Sequence, residues 1–183
     1  DGPIYDRLPV ITLQDDDGSP VALLFSVSCH PSTTGGHLIS ADYPGVAARR
    51  LAESLHRDCA FFLQGVGGDA KARVVGDGQA WRSGSWGDVH DAGEIVAHEV
   101  LATLRAGLTP VEPALACALE EMHWPYAPRP TREELVHLRD NEHAVELQRL
   151  WAERMVERLD RGETLPATAS ILVHGIRLGA GLR

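Results

Sequence analysis

Apolar and polar positions alternate weakly from Leu8 to Leu13 and stop at Asp15-Asp16-Asp17-Gly18, a strong turn signal. A near-continuous apolar run then leads from Val21 through Phe25 and Val27 to Cys29-His30-Pro31. Together these predict a β-hairpin whose second strand ends in a histidine. From Pro44 to Arg57, the residues Val46, Ala47, Leu51 and Leu55 recur at helical spacing, and Pro44 suits a first turn. Cys59 to Leu63 is a short buried-strand pattern. Strand, helix and strand in that order form a βαβ unit, with parallel strands and a right-handed crossover.

Residues 70 to 88 carry Gly76, Gly78, Gly84, Gly87, Trp81 and Trp86 and read as a long irregular segment. An amphipathic helix is expected over His90–Leu104 and a strand over Ala114–Trp124, broken by Pro125 to Pro130. Thr131-Arg-Glu-Glu134 is a capping box that opens a helix. A charge-laced helix over Glu142–Leu159 ends at Gly162, and Ala169 to Leu178 is a last strand. The expected class is α/β: a mixed sheet with a βαβ unit and flanking helices, forming a single domain over 1–183 or a fragment of a larger one. The start at Asp1-Gly2-Pro3 and the stop five residues past the last strand carry the expectation of a trimmed start and of more protein beyond.

Composition narrows the classes. The net charge of −9 argues against nucleic acid as a main partner, which needs a concentrated basic face. No apolar run approaches the roughly 18 residues of a membrane span, so no transmembrane segment is expected. No signal peptide stands out, and the compartment, secreted or cytoplasmic, stays open. The three cysteines, Cys29, Cys59 and Cys117, are odd in number and far apart, which suits free thiols better than a disulfide framework. Lys71 is the chain's single lysine.

The candidate chemistry lies at the two predicted strand ends, where ligands of βαβ units collect. His30 is a good zinc ligand or general base by residue type, or a histidine that hydrogen-bonds a neighbouring loop. His37 and Asp42 stand close by in sequence, but no HxH or HExxH pair exists, so a metal site would need distant segments. Asp42 also suits a helix start. Gln64-Gly-Val-Gly-Gly68-Asp69 is neither a P-loop nor GxGxxG; it reads as an oxyanion-type cradle or as a tight turn. Lys71 follows it. Cys29 and His30 are adjacent on a strand and face opposite ways, which argues against a nucleophile–base pair. Asp69 and Lys71 are the catalytic candidates, His37, Asp42, Gln64 and Gly68 the substrate-binding ones, and His30 the metal ligand.

Phe25 to Pro31, Ile39 to Gly45 and Phe61 to Ala72, in that order, resemble the N-terminal catalytic region of the neutral/alkaline non-lysosomal ceramidases, in particular shorter bacterial relatives. The Asp-Gly turn, the Thr131–Glu134 helix start, Arg158-Leu-Asp-Arg-Gly-Glu-Thr-Leu-Pro and Ile171 to Gly179 extend the likeness. The resemblance implies hydrolysis of an N-acyl amide bond with one zinc ion held by two histidines, a glutamate and a tyrosine. His30 matches the second histidine. The other three ligands would come from flanking sequence or a second chain. The implied substrate is a small-molecule or lipid-like N-acyl amide. The family's Gly-Asp-x-Ser-Pro loop falls on Gly67–Ala72, where Lys71 replaces the serine and Ala72 the proline. Two readings follow: a zinc-dependent amidohydrolase, or a catalytically degenerate binding or structural module on the same scaffold.

Overall fold

A computed structural model describes residues 5–78 and 80–179; the opening Asp1-Gly2-Pro3 and the last residues to Arg183 lie outside it. The fold is mixed α/β, with a three-stranded mixed sheet, a two-stranded sheet and four α-helices among the described residues. The chain divides into two compact units, Asp1–Thr109 and Pro110–Arg183.

In the first unit, β1 (Val10–Gln14) and β2 (Pro20–Val27) pair antiparallel. The Asp-rich turn between them closes as the sequence predicts. Ser19 N–H donates to Asp15 Oδ1 at 2.7 Å, and Gly18 takes a φ of 77°. Helix α1 (Asp42–Leu55) carries the chain to β3 (Ala60–Gln64), which pairs parallel with β2, from Leu23 opposite Ala60 to Val27 opposite Gln64. The βαβ unit is therefore present, and its two strands end level. One sheet face turns Leu23 and Phe25 inward to meet Ala47 and Leu51 of α1, and Ala97 and Val100 of α2 (Trp86–Ala106). The opposite face keeps Leu13, Phe61 and Leu63 about half exposed.

Helix α2 begins four residues before the predicted His90 because its cap is stronger than its apolar stripe suggests. Ser85 and Asp88 form a reciprocal capping box, and Arg82 grips both Asp88 oxygens at 2.6 and 2.9 Å. That pairing, with the Ser85 contacts, holds the Asp88 carboxyl far below the usual carboxylate range. Ahead of α2, the irregular segment contains one short 3-10 turn over Arg73–Val75. Where α1 crosses α2, Gly93 is buried, and a Cβ there would meet the Val46 side chain and sit 2.9 Å from the Tyr43 carbonyl oxygen.

The second unit pairs β4 (Leu115–Pro125) with β5 (Thr168–Leu178) antiparallel over eleven residue pairs. Helix α3 (Arg132–Asp140) opens on the predicted Thr131–Glu134 capping box. Helix α4 (Glu146–Asp160) starts four residues later than its charge pattern predicts. The Asn141 side chain explains the delay: it accepts the His143 N–H at 3.0 Å, a local turn that competes with helix. Leu135, Ala152, Val156 and Leu165 make the small core of this unit. No helix among the described residues is long and apolar enough to cross a membrane.

Two substitutions check this packing. Gly93→Ala should lose about 1–3 kcal/mol, because the α1–α2 approach leaves no room for a methyl group. His56 ends α1 with a φ of 52°, and His56→Gly should gain about 0.5–1 kcal/mol by relieving that left-handed residue. Urea denaturation of each variant against the parent chain measures both.

Candidate functional site

The level ends of β2 and β3 decide where the chemistry-bearing residues fall. Past Val27 the chain turns through Ser28, Cys29 and His30; past Gln64 it turns through Gly65–Asp69 and comes back alongside. Gly65 N–H donates to Val27 O at 3.0 Å, and His30 N–H donates to Ala70 O at 2.7 Å. His30 and Lys71 are thereby partners in a parallel bridge. The two loops that leave the strand ends do meet, and they bring the backbone of exposed His30 alongside that of Lys71, the chain's single lysine.

Two of the loop glycines are required by contact. A Cβ on Gly67 would lie 2.6 Å from Cys29 N, and one on Gly65 would lie 2.5 Å from Ser28 Oγ and 3.0 Å from Val27 O. Gly67 is the stricter case, because a methyl group there meets backbone that cannot swing aside. Gly68 differs: a Cβ there would meet nothing within 4 Å, so it faces open space.

The loop after His30 is fixed by Asp42 at the start of α1. Its carboxylate is buried, with Oδ2 accepting Thr33 N–H at 3.0 Å and Thr34 N–H at 3.4 Å, while Oδ1 accepts Tyr43 N–H at 2.8 Å. Asp42 has a φ of 49°, a left-handed conformation that aspartate tolerates better than most residues. Next to it, the Tyr43 hydroxyl donates to Cys29 O at 2.7 Å, and Gln64 Nε2 donates to the same carbonyl at 3.2 Å. Tyr43 was not among the sequence candidates; its place in a helix first turn beside an aspartate was the available signal. Burial pushes its phenol well above the ordinary range, so it is a donor throughout the physiological pH range.

The remaining candidates are less engaged. Asp69 and Lys71 are exposed and, among the described residues, their side chains make no hydrogen bond or ion pair; both line a largely apolar cleft of about 470 Å³ walled by Arg7, Val27, Trp81 and Ile95. His37 lies exposed on the loop before α1, and its ring makes no hydrogen bond or ion pair among the described residues. Cys29 points its thiol toward the His30 carbonyl oxygen, at 3.7 Å, in keeping with a thiol that does not pair with the imidazole. Burial is the main cause that raises the Cys29 thiol above its usual range.

A zinc site needs three or four protein donors. Among the described residues no three of His, Cys, Asp and Glu gather as a metal-binding group. Among the described residues His30 could supply one zinc donor and does not complete a site.

No protein-family model and no curated protein matches the chain. Among solved structures, it is similar to one titled "Ceramidase complexed with C2", with a TM-score of 0.59 and 13% identity over 93% of this chain. It is also similar to the neutral ceramidase from Pseudomonas aeruginosa, with a TM-score of 0.57 and 17% identity over 93% of this chain. The chain spans about a third of the length of each, 34% and 32%. At these identities the likeness establishes a shared fold.

Two expectations test this geometry. Gly67→Ala should cost roughly 1–3 kcal/mol and Gly68→Ala no more than about 0.5, read by thermal melting. Under iodoacetamide at pH 7.5, Cys117, which is exposed, should label first. Cys59, fully buried, and Cys29, with its raised thiol, should lag by at least roughly tenfold, as peptide mass spectrometry reads.

Proposed function

We propose that this chain is the part of a ceramidase-like amide hydrolase that carries the His30–Lys71 site, and that its substrate is an N-acyl amide. The observation that carries the reading is the meeting of His30 and Lys71 at the level ends of a parallel strand pair, within a fold shared with neutral ceramidases. In this reading His30 is one donor to a zinc ion whose other donors lie in sequence beyond the described residues or in a second chain. When bound, that ion supplies Lewis acidity to the amide.

The chain's own groups divide the remaining work. The Lys71 ammonium donates a hydrogen bond to the amide oxygen as negative charge develops there, the service of an oxyanion hole. Asp69 takes a proton from the attacking water and returns it to the departing nitrogen. The water oxygen bonds to the carbonyl carbon as the C=O π electrons move onto the oxygen; collapse of that tetrahedral species breaks the C–N bond, and a carboxylic acid and an amine leave. Gly68, whose open side admits a ligand close to the backbone, forms the floor of the site. The apolar cleft beside Lys71 suits an apolar part of the substrate. Asp42 acts at one remove, by holding the corner that follows His30.

A second reading rests on Lys71 and Ala72. The resemblance puts a serine and a proline at these positions, and their replacement favours a binding module that holds an N-acyl amide without cleaving it.

The deciding experiment is elemental analysis and amide-hydrolysis assay of the full-length protein and its His30→Ala variant. About one zinc per chain, lost with His30 together with roughly a hundredfold or more of the activity, is the expected result. A protein that is folded, free of zinc and inactive would contradict the hydrolase and favour the binding module. Within an active enzyme, Lys71→Met should lower kcat by about 10²–10³-fold with the melting temperature unchanged.

A further inference from the structure

Resting on that reading of His30, we propose that Tyr43 and Gln64 are positioning residues for it, acting through the single peptide group that joins Cys29 to His30. The carbonyl of this peptide accepts the Tyr43 hydroxyl at 2.7 Å and Gln64 Nε2 at 3.2 Å. Its N–H donates to Ala70 O at 2.7 Å. A peptide group is planar, so fixing both its oxygen and its hydrogen fixes the plane. The plane places the His30 Cα, and on its other side Ser32 N–H donates to His30 O at 2.8 Å. With the peptide groups on both sides held, the direction in which the Cα–Cβ bond leaves the backbone is set. An exposed histidine without any side-chain partner of its own among the described residues is thus aimed by its backbone.

The two donors come from different elements and are themselves held. Tyr43 sits in the first turn of α1, and its ring packs edge-on against Phe62 of β3, centroids 6.0 Å apart at 80°. Phe62 in turn meets Phe25 of β2 at 5.6 Å, so the hydroxyl is registered against the main core. Gln64 ends β3, and its amide nitrogen also donates to Gly65 O at 3.0 Å, which anchors the side chain at the loop it must span from. One donor would satisfy this carbonyl. The second, from an exposed glutamine, adds restraint about the peptide rather than burial.

The test uses the full-length protein carrying Tyr43→Phe, Gln64→Met, or both, with His30→Ala as control. Hydrogen exchange is read at the His30 amide and, for comparison, at the core amides of Leu23 and Leu51. Loss of the two donors should speed exchange at His30 by about tenfold or more while the core amides keep their parent rates. The same variant should lose about tenfold in kcat with KM held. Uniformly faster exchange across the core, or parent exchange at His30 in the double variant, would overturn the proposal and leave both residues as ordinary packing. Gln64→Met alone keeps the test valid if Tyr43→Phe unfolds the chain. The exchange readout needs no turnover. An unimpaired His30→Ala enzyme would instead overturn the reading of His30 as the site, an outcome distinct from parent-like exchange.

Discussion

The parallel register of β2 and β3 is the constraint from which the site follows. Because Val27 stands opposite Gln64, the two strands finish at the same level, and the segments beyond them must share one sheet edge. The ladder then continues in fragments: Gly65 to Val27, and His30 to Ala70, each a backbone hydrogen bond between the two loops. A shift of one residue in that register would turn every side chain of β3 to the other face and separate His30 from Lys71. Phe25 and Phe62, paired across the two strands and buried or half-buried on the core side, are what holds the register.

The corner after His30 concentrates polar restraint in a small volume. One buried carboxylate, Asp42, serves three backbone N–H groups and does so from a left-handed backbone conformation. Among the described residues, the Thr33 hydroxyl in the same corner is buried without a hydrogen-bond partner. Strained backbone and an unsatisfied polar atom each oppose stability by about 1–3 kcal/mol, and they persist where surrounding contacts over-determine the geometry. The neighbouring Tyr43 hydroxyl and the tight passage of Gly67 against Cys29 supply that over-determination.

The strands and most helices were legible because their signals are local: period, turn residues and caps. The hairpin at Asp15–Gly18, the βαβ unit and the Thr131 capping box all follow from a few adjacent positions. The starts of α2 and α4 were misplaced because single side chains, Asp88 and Asn141, decide them through hydrogen bonds that periodicity does not register. At the site, the glycine loop after β3 was readable, whereas the strand expected to end in His30 stops at Val27 and leaves His30 in the turn beyond it. The roles within the two loops were less readable. Gly65 and Gly67 read as turn formers, yet contact with the neighbouring strand end is what demands them. Asp42 reads as a helix start, and the structure shows its carboxylate working nine residues back, on Thr33. The runs in β2 and β3 are apolar on both faces, as in strands covered on two sides. Phe61 and Leu63 of β3 are nonetheless 54% and 49% exposed.

In the proposed reading, the pairing of the His30 and Lys71 backbones marks a hydrolytic metal centre on this fold. The most direct measurement is diffraction from crystals of the full-length protein, collected on both sides of the zinc absorption edge. One anomalous peak at bonding distance from the His30 ring, with Lys71 on the open side of the same site, is the expected result. A zinc peak held elsewhere, with the His30 ring free, would contradict it.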